Sequence, residues 1–146
     1  MAKGSLRKDE NGDAIIVITN QACVGRGDLS LAGLARIHDR LREEVAAVGG
    51  IITDILVCPH TDTDGCGCRK PQPGLIFEAA EKYEIDLPGT WFVGDAIRDV
   101  EAALAAGCRP ALVHSGKPID ESPSGNVAIF NDLEDFASAL QDNDIA

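Results

Sequence analysis

Three thiols and one imidazole fall within eleven residues, at Cys58, His60, Cys66 and Cys68. They make two clamps, Cys58-Pro59-His60 and Cys66-Gly67-Cys68, each skipping one residue. Four such ligands suit the closed tetrahedral site of a structural zinc, which leaves no open position for catalysis. The intervening Thr61-Asp62-Thr63-Asp64-Gly65 is polar and turn-forming and lets the loop fold back. Arg69 and Lys70 follow directly, and Pro71 and Pro73 stiffen their exit. A metal-braced loop that presents two fixed cations points to an anionic substrate, with phosphate the leading choice. The competing reading is a disulfide with a free thiol. Cys66 and Cys68 are too close in sequence for an unstrained bridge, and the chain reads without a secretory signal.

Other polar residues stand where apolar runs stop. Thr19 offers a hydroxyl and Asn20 an amide, both suited to phosphate oxygens; the plain alternative is a strand-to-loop turn. Gly25-Arg26-Gly27 places an arginine on a flexible loop, as a substrate contact or as a solvated surface cation. Lys70 can neutralise a transferring phosphoryl group, and Arg69 can grip a second anion bidentately. Asp95, after Gly94, suits magnesium, a hard cation that takes carboxylate oxygen. Asp99 can orient water or the metal's shell, or serve as the acidic residue favoured in a helix first turn. His38 and His114 read as core or surface residues, and Cys108 as a small buried hydrophobe.

The elements that must carry these residues alternate along the chain. Ala14 to Thr19 is a β-branched run, as in a buried parallel strand. Ser30 caps a predicted helix with apolar residues at Leu31, Leu34, Ile37 or His38, Leu41, Val45 and Val48, stopped by Gly49-Gly50. Ile51 to Val57 is the next strand, with the metal loop at its end. Helix Gly74 to Tyr83, strand Trp91 to Val93, helix Arg98 to Ala106, strand Pro110 to Val113, strand Val127 to Phe130 and helix Leu133 to Leu140 follow. Alternation of this kind implies an α/β fold, a three-layer parallel sheet with helices on both faces. Ligands in such sheets lie beyond the carboxyl ends of the strands, where Thr19-Asn20-Gln21, the metal loop and Gly94-Asp95 all fall.

The 146 residues suit a single domain with a polar start over 1–13, a zinc loop over 58–68 and a frayed tail over 141–146 that holds Asp142 and Asp144. Apolar residues make up 45% and charged residues 25%, a globular balance. A net charge of -11 argues against nucleic acid as a partner, since such a surface needs a basic face. No run approaches the ~18 apolar residues of a membrane helix. Three of the five cysteines lie in the cluster, with Cys23 and Cys108 apart, which fits a reducing cytoplasm.

Together these motifs carry a resemblance. Thr19-Asn20-Gln21 with Gly25-Arg26-Gly27, Cys58-Pro59-His60, Cys66-Gly67-Cys68-Arg69-Lys70-Pro71, Pro73-Gly74, Val93-Gly94-Asp95 with Asp99, and Ser115-Gly116-Lys117 resemble the D-glycero-D-manno-heptose 1,7-bisphosphate phosphatases of the haloacid-dehalogenase superfamily. Histidinol-phosphate phosphatases share the metal loop, but Gly25-Arg26-Gly27 looks more like the heptose branch. The resemblance implies hydrolysis of a phosphorylated sugar in the lipopolysaccharide precursor pathway, with catalytic magnesium, structural zinc and a cytoplasmic monomer. It implies that Thr19 holds the phosphoryl group, Lys70 neutralises it and Asp95 binds magnesium, with Asp99 a second candidate. Asn20, Gln21, Arg26 and Arg69 would contact the substrate, Arg69 favouring its second phosphate. Some members carry a lysine after the aspartate; here it is Ala96.

One motif is unmatched. The superfamily begins with an apolar strand running into Asp-x-Asp-Gly, whose first aspartate is the nucleophile and whose second is the general acid and base. Asp9-Glu10-Asn11-Gly12 is a partial echo without a buried strand ahead of it, and reads as a turn. The expectation is therefore a truncated or internally deleted phosphatase, weakly active or inactive. The fold would lack its first central strand, so that the strands ending at Thr19 and Asp95 pair directly, leave open edges prone to self-association, or take residues 1–8 between them. A non-catalytic phosphosugar-binding module and a zinc-stabilised interaction domain are the alternatives.

Overall fold

The computed structural model describes residues 13–61, 63–116 and 127–142. The turn read at Asp9 to Gly12, residues 1–8 as a filling strand, Asp62, Lys117 and Asp144 lie outside them. The chain divides into two compact units. One comprises the residues up to Arg69 together with Gly74–Ile85; the other comprises Lys70–Pro73 and the residues from Asp86 on.

In the first unit, β1 (Ile15–Asn20) pairs in parallel with β2 (Ile52–Cys58), with Thr19 opposite Val57 and Asn20 opposite Cys58. The crossover between them holds a short α1 (Ala22–Gly25) and the long α2 (Leu31–Ala47). Ser30 caps α2 as its sequence predicts, its Oγ accepting from Gly33 N at 3.0 Å. The apolar stripe read along α2 is only partly used. Leu34 is buried and His38 and Val45 half-buried, while Leu31, Ile37, Leu41 and Val48 are exposed. Helix α3 (Gly74–Tyr83) packs Leu75 and Ala79 against Leu56 and Cys58, with Ile16, Ile18, Cys66 and Cys68 around them. The metal loop's thiols are thus part of this core.

A polar latch closes the far end of α3. Asp54 accepts from Lys82 Nζ at 2.9 Å and from Tyr83 OH at 2.6 Å. Burial acts upward on its carboxyl, but these bonds outweigh it and hold its pKa below the ordinary 3.8.

The second unit is a three-stranded parallel sheet in the order β3 (Trp91–Gly94), β4 (Arg109–Val113), β5 (Ala128–Phe130). A 3-10 turn at Leu87–Gly89 leads into it. On one face Ala111 and Val113 pack on Phe136 of α5 (Leu133–Gln141), which meets Trp91 and Phe130 edge-on at 5.6 and 5.4 Å. Alternation turns Leu112 to the opposite face. Helix α4 (Ile97–Ala106) buries Val100, Ala102, Ala103 and Ala106, and ends at Gly107 in the left-handed region, φ +82°. Cys108 is buried and its thiol pushed up by burial, as a small hydrophobe should be.

The architecture is α/β with parallel pairing throughout, as the alternation of runs predicts. The two strands read as flanking a missing one, β1 and β3, belong to different sheets among the described residues. Among the described residues, no helix is long and apolar enough to cross a membrane.

Candidate active site

The metal loop closes on itself as its spacing predicts. The donor atoms of Cys58, His60, Cys66 and Cys68 all lie within 4.8 Å of one another. Cys58 Sγ lies 3.5 Å from Cys66 Sγ, 3.5 Å from His60 Nδ1 and 2.7 Å from Cys68 Sγ, and His60 Nδ1 lies 3.2 Å from Cys68 Sγ. All these cysteines are free thiols, so the disulfide alternative is not realised. Two sulfurs on one zinc stand roughly 3.8 Å apart at Zn–S distances of about 2.3 Å. The cluster fits zinc in donor chemistry and in number, with only a small opening of the Cys58–Cys68 contact.

Crowding splits the thiols. Burial acts upward on Cys66, but bonds from Cys58 and Cys68 bring it down to about 6. Burial, and then the same neighbours, push Cys68 up to about 12. A cluster that surrenders one proton readily and holds another suits a divalent cation, which removes the remaining protons on binding.

Backbone bonds carry this loop's rigidity to its neighbours. Gln21 N donates to Cys58 O at 2.8 Å and Gly74 N to Gly67 O at 3.0 Å. A side chain at Gly74 would run into the Gly67 carbonyl, so α3 can begin this close to the loop only at glycine. Arg69 Nη1 donates to His60 O at 3.3 Å, which fastens the first of the two cations to the loop.

At the end of β1, Thr19 Oγ1 accepts from Gln21 Nε2 at 3.0 Å and lies 3.5 Å from Asn20 O. Gln21 Oε1 in turn faces Cys23 Sγ at 3.5 Å. Three residues read as anion contacts are thereby set on one strand end beside a zinc ligand. Arg26, on the turn after α1, pairs its Nε with Asp28 Oδ2 at 3.0 Å.

In the second unit the central feature is Lys70 on Asp99. Lys70 Nζ donates to Asp99 Oδ1 at 2.6 Å, with Asp99 buried and Lys70 partly so. Asp99 Oδ2 accepts from the backbone N–H groups of Asp95 and Ala96, each at 3.1 Å. Both oxygens of the buried carboxylate are thus hydrogen-bonded, which offsets the cost of its burial. Any side chain at Gly94 would collide with this carboxylate, which accounts for glycine there. Asp95 enters the network through its N–H, with its carboxyl at the end of β3. The sequence points to Asp99 as a carboxylate for magnesium or its water, or as a helix first-turn acid; its grip on Lys70 was missed. A signal existed, since Asp99, Ala102, Ala103 and Ala106 share the buried face of α4, and a carboxylate on a core face needs a partner.

One string also escaped the sequence reading. Asp62-Thr63-Asp64-Gly65 is a literal Asp-x-Asp-Gly, lying inside the metal loop and separated from β2 by Pro59-His60-Thr61. Asp62 is outside the described residues. Asp64 Oδ2 accepts from Thr61 N at 2.7 Å, which is turn chemistry.

Comparison with known proteins supplies the family. A HAD-hydrolase-like family model matches residues 67–136. A D-glycero-β-D-manno-heptose-1,7-bisphosphate 7-phosphatase of Pseudomonas aeruginosa is 47% identical over 138 residues, covering 92% of this chain and 77% of that protein. The protein of the same name from Pseudomonas putida is 45% identical, over 88% and 75%. A crystal structure of D,D-heptose 1,7-bisphosphate phosphatase from B. bronchiseptica, complexed with magnesium and phosphate, superposes with a TM-score of 0.84 at 36% identity, covering 89% of this chain and 75% of that one. By sequence and by fold, the chain belongs to the D-glycero-D-manno-heptose-1,7-bisphosphate 7-phosphatase family of HAD-like phosphatases.

Proposed function

We propose that this chain recognises D-glycero-β-D-manno-heptose 1,7-bisphosphate in the cytoplasm as a phosphatase of the 7-phosphate. The observation that carries the reading is the Lys70–Asp99 pair at 2.6 Å, which holds the cation in one place on a carboxylate shared with two backbone N–H groups. Thr19 and Asn20 hydrogen-bond the phosphoryl oxygens, Lys70 neutralises them, and Gln21, Arg26 and Arg69 hold the rest of the substrate. Arg69, fastened to the metal loop, takes the second phosphate. Asp95 is the carboxylate offered to magnesium, and Asp99 holds Lys70 and the Asp95 turn. Magnesium, when bound, supplies charge neutralisation at the phosphate oxygens. Zinc on Cys58, His60, Cys66 and Cys68 is structural.

Hydrolysis in this superfamily needs a nucleophilic aspartate at a strand end, and among the described residues no strand runs directly into Asp-x-Asp-Gly. Covalent catalysis divides hydrolysis into two easier steps, and its loss leaves recognition without efficient turnover. The 146-residue chain is accordingly a recognition site with weak activity or none.

Calorimetric titration in magnesium tests the substrate. The heptose bisphosphate is expected to bind more tightly than histidinol phosphate, because a second phosphate engages Arg69. Equal or tighter binding of histidinol phosphate would sink the heptose reading.

A further inference from the structure

The loop that carries Arg26 is closed by its own backbone. Arg26 N donates to Ala22 O at 2.9 Å and Gly27 N to Val24 O at 3.1 Å. Asp28 N and Leu29 N both donate to Cys23 O, at 2.8 and 3.2 Å. Gly27, at φ +80°, makes the left-handed turn that brings Asp28 back toward α1. Both ends of the Arg26–Asp28 span are therefore fixed by main-chain bonds before their side chains meet.

Across this turn the Arg26 Nε–H donates to Asp28 Oδ2 at 3.0 Å. The two side chains are 57% and 63% exposed, so the pair is screened by water and adds little to the stability of the fold. What it does bias is direction. A guanidinium carries five N–H donors in one plane. Asp28 takes the one on Nε, so the edge formed by the two terminal nitrogens points away from it. That edge is the one able to fork onto two oxygens of a phosphate ester. An arginine already held in one orientation loses less side-chain freedom when the anion arrives.

We infer that Asp28 is a positioning residue for anion capture, which pre-orders Arg26 so that its terminal nitrogens meet a sugar phosphate. This rests on the reading of Arg26 as a substrate-binding cation. The carboxylate has an opposing effect, since its charge weakens the field of the arginine beside it. Position and charge separate in one pair of variants. Asp28→Asn keeps an oxygen acceptor and removes the charge, whereas Asp28→Ala removes both.

The test is calorimetric titration of the full chain with D-glycero-β-D-manno-heptose 1,7-bisphosphate, in the parent, Arg26→Ala, Asp28→Ala and Asp28→Asn, with thermal unfolding of each as a check on folding. Arg26→Ala is expected to weaken binding about tenfold, the loss of a charge-assisted contact. Asp28→Ala should weaken it about two- to fivefold, the scale of an exposed ion pair. Asp28→Asn should restore the parent affinity, with unfolding unchanged in all four. If Arg26→Ala weakens binding and Asp28→Ala does not, the positioning role is wrong while the reading of Arg26 stands. Tighter binding by Asp28→Asn would make Asp28 a competitor of the substrate and overturn the inference. No effect of Arg26→Ala, or no binding by the parent, would overturn the reading of Arg26 or of the substrate, and this inference with it.

Discussion

Two cations that are neighbours in sequence, Arg69 and Lys70, are held by different physics. Arg69 is fastened to the His60 carbonyl, on a loop whose shape depends on four metal ligands. Lys70 is fastened to Asp99, a carboxylate buried in the core of its own unit and already satisfied by two N–H groups. The first arrangement is as rigid as its metal makes it. The second is set by protein atoms alone. Loss of metal should therefore loosen Arg69 and leave the Lys70–Asp99 contact in place.

The largest effect should come from breaking the metal side. Structural zinc contributes folding energy directly, about 10–16 kcal/mol in zinc-finger peptides. Cys66→Ala is expected to lose zinc and to lower thermal stability more than any other change discussed here. Amide exchange at Gln21 and Gly74, both bonded to the loop, should rise, while the Asp95 and Ala96 amides on Asp99 keep their protection. Full zinc content with unchanged melting would remove the metal assignment.

Asp99→Ala comes next. It leaves the partly buried Lys70 ammonium without its partner and two N–H groups without an acceptor, a change of about 3–5 kcal/mol. Urea unfolding measures it, and Asp99→Asn should cost less because it keeps acceptor oxygen for the N–H groups. A loss below about 1 kcal/mol in Asp99→Ala would show the pair to be solvent-screened rather than buried.

The smallest effect belongs to the Asp54 latch. Its folded pKa is lowered below 3.8, so the stability it contributes is present above that value and is lost as pH falls through the folded pKa. The urea midpoint of the parent should drop on acidification below 3.8 by more than that of Asp54→Asn. Parallel curves for the two proteins would remove the latch from the stability account.

What the sequence made legible follows the range of each interaction. The zinc ligands span eleven residues, and their spacing alone brought them together. Strands β1 to β5 and helices α2 to α5 fell within one or two residues of their predicted bounds, because β-branched runs, a Ser30 cap and glycine stops are local signals. Helix α1 and the Leu87–Gly89 turn were not read, being too short to show a period. The Lys70–Asp99 and Lys82–Asp54 pairs each join residues 28 or 29 positions apart, which no spacing rule reaches. On α2 the stripe was read correctly as helical but not as to which of its members are covered, since that depends on what packs against it.

The most direct test of the account is magnesium-dependent phosphate release from D-glycero-β-D-manno-heptose 1,7-bisphosphate. The 146-residue chain would be assayed beside a version supplied with an apolar strand ending in Asp-x-Asp-Gly. Turnover in the second version alone is the predicted result, and would show a sound recognition site short of its nucleophile. Ordinary turnover by the 146-residue chain would contradict it and place the nucleophile among the residues already present, with Asp9 and Asp13 the first to replace.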